Sequence, residues 1–172
     1  MKIDIEERVL HFKQPAGTSR GVYTERKIWL VKMTDRDAVG IGECAPLPKL
    51  SCDDIPHYAE VLRRFCDEVE RSGQLDTEAL RDYPSMLFGL ETAMLSLENS
   101  QFSIFNSQFS RGEVGILING LVWMGTYEEM KERIEQKLAQ GFHCIKLKIG
   151  AIDFDAELEL IKKIRERFSH IA

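Results

Sequence analysis

The chain has 172 residues, 44% of them hydrophobic and 30% charged, with a formal net charge of −5, enough for one domain or one small domain and part of another. No basic stripe accompanies this acidic balance, so nucleic-acid and anionic-membrane binding are not expected, and a small-molecule or protein partner is. Four cysteines, at 44, 52, 66 and 144, show no C-x-x-C pair or metal-ligand spacing, and neither an apolar leader nor an apolar run near ~18 residues is visible, so a reduced, cytoplasmic protein without a membrane span is expected.

Period-two alternation predicts strands over 3–12, 22–34 and Ala38–Cys44, an antiparallel meander. Between the first two lies KQPAGTSRG, residues 13–21, whose Pro, Gly, Ser and Thr predict a loop too long for a tight hairpin. After the Gly- and Pro-punctuated GIGECAPLPKLSCDD a helix is expected, with Ser51 or Asp53 as N-cap and Pro56 in its first turn. Its buried stripe would be Ala59, Leu62, Phe65, Cys66 and Val69, ending near Gly73. A second helix from Pro84 carries Leu87, Leu90, Ala93, Met94 and Leu97. The polar stretch 101–113 marks a boundary, giving domains 1–113 and 114–172.

Beyond it the pattern alternates: a strand in VGILING, a helix from Thr126 to about Gln140, a strand in FHCIKLKIG, and a helix over about 153–168. Thr126 with Glu129 forms a capping-box pattern and Gly141 sits at a helix C′ position. Phe154, Leu158, Ile161, Ile164 and Phe168 form one apolar stripe on the last helix. Such βα units argue for a parallel sheet, covered on both faces or closed as a barrel.

Alternation along the strand in FHCIKLKIG puts Cys144, Lys146 and Lys148 on one face and Ile145, Leu147 and Ile149 on the other. The apolar set belongs against the helices, so the lysines point away from them. A K-x-K pair also fits a solvated strand face; in a barrel it faces the interior, whose C-terminal end carries catalytic groups. Two ammonium groups about 6.6 Å apart, partly desolvated, disfavour each other's charge, and a neutral amine serves as a general base. Lys148 lies nearer the strand's C-terminal end, with Lys146 one pleat deeper.

GIGECAPLPKLS, MLFGLETAMLSLE, INGLVWMG and GFHCIKLKIGAIDFDAELELIKKIRERF, taken with this element order, resemble the enolase superfamily in its muconate-lactonizing branch. Within that branch they are similar to the o-succinylbenzoate synthase family, of the Bacteroidetes type, along essentially the whole chain. The resemblance implies an α+β capping domain followed by the first two βα units of a (β/α)8 barrel. It implies a cytoplasmic dehydratase of menaquinone biosynthesis acting on SHCHC, a succinyl-bearing cyclohexadiene carboxylate, with Mg²⁺ beside a lysine base. Lys148 would abstract the α-proton and Lys146 would support it. Two cap loops would close over the site, offering Ser19, Arg20 and Thr24 from the first and Leu47, Pro48 and Leu50 from the second; Asn119 ends the first barrel strand.

A complete barrel needs about 250 residues, and only two βα units follow residue 113. The family's three Mg²⁺-binding carboxylates and second catalytic lysine fall on later strands, so no metal ligand is assigned in this chain, and Asp153 and Asp155 read as helix N-terminal residues. Such a piece would be inactive alone and would self-associate or pair with the missing barrel portion. A dipeptide epimerase or muconate cycloisomerase would use the same lysine, and a non-catalytic interaction module is the reading from another class.

Overall fold

The computed structural model describes residues 1–18, 21–98, 108, 111–150, 152–167 and 169. It divides into two compact units, Met1–Gln14 with Tyr23–Val114 and Pro15–Val22 with Gly115–Ala172.

The first unit is built on a sheet of order β1-β2-β3, with β1 at Lys2–Thr18, β2 at Gly21–Asp35 and β3 at Ala38–Cys44. β2 and β3 pair antiparallel, from Asp35 opposite Ala38 to Trp29 opposite Cys44. The Lys27–Glu7 ion pair and the His11–Glu25 side-chain contact advance in opposite directions along β1 and β2, as an antiparallel pair requires. The expected loop over 13–21 is instead mostly strand, since β1 runs on to Thr18 and β2 resumes at Gly21. Pro15 is compatible with this because β1 is an edge strand, where a missing N–H need not break a ladder.

Helix α1 spans Tyr58–Ser72 and α2 spans Pro84–Glu98. Trp29, Val31 and Met33 of β2, with Cys44 of β3, form one core with Tyr58, Leu62, Cys66 and Val69 of α1 and Met86, Leu90 and Ala93 of α2. Fully burying a side chain the size of Leu62 contributes about 1.5–3 kcal/mol. The α1 stripe is shifted from expectation: Tyr58 is buried and Ala59 exposed, because the Tyr58 ring stacks on Trp29 with centroids 4.2 Å apart. Neither Ser51 nor Asp53 caps α1, whose N-cap is His57 in the left-handed region. Ser51 Oγ instead accepts from Leu47 N at 2.8 Å. Asp53, fully buried, accepts from Ser85 N at 2.7 Å and Ser85 Oγ at 2.5 Å, so it caps the first turn of α2 from a distant loop. Gly73 ends α1 at φ 71°, as a C-terminal glycine should.

α1 also closes the outer side of β1. Ile3 N donates to Glu70 Oε1 at 2.5 Å and Ile3 O accepts from Arg63 Nη1 at 2.7 Å, so two helix side chains stand in for a neighbouring strand. α2 lies directly on β3: a Cβ at Gly42 would come within 1.8 Å of Gly89 O, one at Gly40 within 2.0 Å of Ala93 O, and one at Gly89 within 2.2 Å of Cys44 Sγ. These three glycines set the helix-to-sheet distance.

In the second unit, β4 (Gly120–Val122) pairs parallel with β5 (Ile145–Leu147), and α3 (Tyr127–Ala139) and α4 (Phe154–Arg167) accompany them. Thr126 and Glu129 form the expected capping box, with Thr126 N donating to Glu129 Oε2 at 2.8 Å and Glu129 N to Thr126 Oγ1 at 3.3 Å. Gly141 follows α3 at φ 82°. The first strand is displaced from expectation: within VGILING only Gly120 is in β4, while Ile116, Leu117 and Ile118 are 71%, 103% and 76% exposed. The ladder with β5 reaches only from Gly120 to Val122, so an apolar run without a paired strand beside it is not drawn into the sheet. The expected stripe on α4 is also rotated. Glu157 and Leu160 are buried, Ile164 is half-buried, and Phe154 and Ile161 are 67% and 36% exposed; Phe168 lies outside the described residues. No described helix is long and apolar enough to cross a membrane.

Candidate active site

Two hydrogen bonds fix the strand pair beneath the candidate lysines: Gly120 N donates to Cys144 O at 2.8 Å and Lys148 N to Val122 O at 3.0 Å. Gly120 stands opposite Ile145, Leu121 opposite Lys146 and Val122 opposite Leu147. Ile145 and Leu147 pack with the buried cluster of Val122, Met130, Ile134 and Leu160 supplied by β4, α3 and α4. Because that face meets the helices, alternation turns Leu121, Lys146 and Lys148 to the opposite face, with Asn119 and Trp123 at the same parity beyond the ends of β4. Lys146 is exposed and Lys148 half-buried.

The half-buried state of Lys148 has a visible cause. Its Nζ lies 5.9 Å from the centroid of the Trp123 ring, within the range at which a cation is attracted to an aromatic face. Trp123 is itself held: its Nε1–H donates to Gly17 O at 2.8 Å, and Arg133 Nη1 donates to Trp123 O at 3.1 Å and Met124 O at 3.0 Å. On the other side of Lys148, Gly150 N donates to Glu157 Oε1 at 2.7 Å, with Gly150 at φ 102°. This bond explains why a carboxylate is buried at 3% exposure on α4. Asp153 Oδ1 accepts from Asp155 N at 2.9 Å, as a helix N-terminal residue does.

The structure thus brings Lys146, Lys148 and Asn119 to one face of the β4–β5 pair. The other sequence-selected residues lie in the first unit or outside the described residues. Ser19 and Arg20 are among those not described, and Thr24 is exposed on β2. Leu47 and Pro48 are half-buried and Leu50 is 48% exposed, on a loop with several fastenings. Pro48 O accepts from the Tyr23 hydroxyl at 2.8 Å, Lys49 N donates to Asp54 Oδ2 at 2.7 Å, and Arg26 Nη2 donates to Ala45 O.

Trp123 and Glu157 are the site residues that sequence reasoning missed. Trp123 could have been found by extending the odd-numbered face from Asn119 and Leu121. Glu157 carries no local signal, since its partner is a backbone amide seven residues away. Among the described residues no group of three or more His, Cys, Asp or Glu could hold a metal ion.

Residues 18–97 match the family model described as MenC, N-terminal domain. The chain is 37% identical over 204 aligned positions to an o-succinylbenzoate synthase of Desulfotalea psychrophila, covering 98% of this chain and 55% of that protein. The crystal structure of MenC from the same organism superposes with a TM-score of 0.58 at 30% identity, over 98% of this chain and 54% of that one. An enolase family member from Agrobacterium tumefaciens with homology to dipeptide epimerases gives a TM-score of 0.69 at 16% identity, over 98% and 51%. An o-succinylbenzoate synthase from Thermosynechococcus elongatus BP-1, complexed with Mg, gives 0.64 at 22%, over 96% and 48%. The latter two likenesses bear on fold alone, and the chain spans about half the length of each relative. On these matches residues 18–97 carry a MenC-type N-terminal domain, and the chain is similar along nearly its whole length to about half of an o-succinylbenzoate synthase.

Proposed function

We propose that this chain is the N-terminal part of an o-succinylbenzoate synthase, residues 1–113 forming the capping domain and 114–172 the first two βα units of its barrel. The observation that carries the reading is that Lys146 of β5, and Lys148 one residue beyond β5 at the same parity, lie on the side turned away from the helices, the side that becomes the interior when such units close into a barrel. In this reading the neutral Lys148 amine takes the proton α to the carboxylate of SHCHC. The C–H electrons pass into an enediolate; the ammonium so formed returns its proton to the departing hydroxyl, and water leaves as the aromatic ring forms. Lys146, one pleat deeper, supports the base by placing a positive charge beside the carboxylate. Ser19, Arg20, Thr24, Leu47, Pro48, Leu50 and Asn119 are assigned to substrate contact.

Mg²⁺ is the cofactor of the whole enzyme in this reading, with its ligands outside these 172 residues. The exposed Ile116, Leu117, Ile118, Phe154 and Ile161 are surfaces that further barrel strands and helices would cover. The 172-residue chain by itself is accordingly inactive with Mg²⁺ supplied and prone to self-association, and the whole protein is cytoplasmic. The test is a substrate panel on the full-length protein that carries this sequence. Conversion of SHCHC supports the reading; deuterium incorporation into L-Ala-L-Glu from deuterated water without SHCHC turnover would assign it to dipeptide epimerisation instead.

A further inference from the structure

We infer that Trp123 is a positioning residue that joins the end of the β1–β2 hairpin to the lysine base. The inference rests on the reading of Lys148 as that base, but the geometry behind it is independent of any substrate.

Trp123 follows directly on β4, and three contacts converge on it within the second unit. Its indole N–H donates to Gly17 O at 2.8 Å, across 106 residues of sequence, so the bond selects one tertiary arrangement of the hairpin end. Its ring lies 5.9 Å from Lys148 Nζ, so the indole face bounds one side of the amine and limits the directions it can take. Its backbone is pinned through Arg133 Nη1, which donates to both Trp123 O and Met124 O. One side chain therefore uses its two chemically different parts on two different partners: the polar edge on the hairpin backbone and the π face on the lysine. No other described aromatic ring is placed against Lys148. Moving the hairpin end away from Gly17's present position would release the indole edge, and with it the surface that orients the amine. Trp123 thereby makes the order of the hairpin and the aim of the base parts of one arrangement.

The two functions separate by substitution. Trp123→Phe keeps a ring face for Lys148 and removes the N–H that holds Gly17, whereas Trp123→Leu removes both. In the full-length protein, Trp123→Phe is expected to raise KM severalfold with kcat nearly unchanged. Trp123→Leu is expected to raise KM similarly and lower kcat about tenfold, a modest part of the roughly hundredfold loss that small misplacement of reacting groups can cause. Wild-type kcat and KM in both variants would overturn the inference.

A second readout does not require activity. The chain has two tryptophans, so selective ¹⁵N-indole labelling gives few signals, and the one lost in Trp123→Phe belongs to Trp123. That signal should shift in Lys148→Met and stay in place in Lys146→Met, and its hydrogen exchange should be slow. An unmoved signal in Lys148→Met, or rapid exchange of the indole proton, would refute the arrangement even if Trp123→Leu fails to fold. If the wild-type protein turns over no SHCHC, the functional reading fails while the indole measurement still decides this one.

Discussion

Replacing Gly42 with alanine tests the contact that sets the geometry of the capping unit. The added methyl would lie 1.8 Å from Gly89 O and 2.8 Å from Thr92 Oγ1. Ordinary contact begins at 3.4 Å, so α2 must retreat by about 1.6 Å or the β3 backbone must bend by as much. The obstacle is a helix carbonyl, which cannot rotate aside. A gap of only 0.5–1 Å already forfeits roughly a quarter to a half of each dispersion contact, and Met86, Leu90 and Ala93 all lose their fit to the sheet together. Overpacking ordinarily costs about 1–3 kcal/mol; with backbone against backbone, about 3–4 kcal/mol is expected here. Equilibrium urea unfolding measures it as a lowered midpoint at unchanged slope. Gly73→Ala is the control: a Cβ there meets nothing within 4 Å, but φ is 71°, so about 1 kcal/mol is expected from backbone strain alone. A Gly42→Ala loss no larger than that of Gly73→Ala would show that α2 does not rest on β3 as described.

Burial pushes the Cys44 and Cys66 thiols up to about 12, whereas Cys52 and Cys144 are exposed; thiol reagent at pH 8 should label Cys52 and Cys144 but not Cys44 and Cys66 in the native protein, and all four after unfolding. Thr126→Ala should destabilise α3 by about 1 kcal/mol in urea unfolding. The Glu129 carboxyl is held below its usual range by its bonds to the Thr126 backbone and side chain. Its contribution is therefore present above the unfolded carboxyl's pKa and lost as pH falls through the folded one, and the difference between wild type and Glu129→Ala should shrink on acidification below about pH 4.3. Glu157→Ala removes the acceptor of Gly150 N, so amide hydrogen exchange at Gly150 should accelerate, while Glu157→Gln, which keeps an acceptor oxygen, should restore most of the protection.

Features encoded within a few residues were legible in the sequence. The Thr126–Glu129 capping box, the Gly73 and Gly141 helix ends and the β3 boundaries each depend on neighbours in the chain and stand where the pattern puts them. The alternation that separates Lys146 and Lys148 from Ile145 and Leu147 was legible for the same reason. What the pattern missed depends on distant partners. Asp53 carries a capping residue's chemistry but spends it on Ser85, in another helix. Tyr58 enters the core because Trp29 offers a ring to stack on. α4 buries Glu157 and Leu160 in place of Phe154 and Ile161, and the Gly150 amide supplies the partner that the buried glutamate requires. Pro15 reads as a loop residue until the strand that contains it is known to be an edge. Trp123 and its bond to Gly17 join positions 106 residues apart, beyond any local signal.

The central claim is that the amine of residue 148 removes the proton. Lys148→Ala in the full-length protein, compared with wild type for SHCHC turnover and with circular dichroism to confirm the fold, tests it most directly. General-base catalysis contributes about 10²–10⁴ in rate, so turnover should fall at least a hundredfold with the fold retained. Activity within about tenfold of wild type, a barrier change of only about 1.4 kcal/mol, would contradict the assignment.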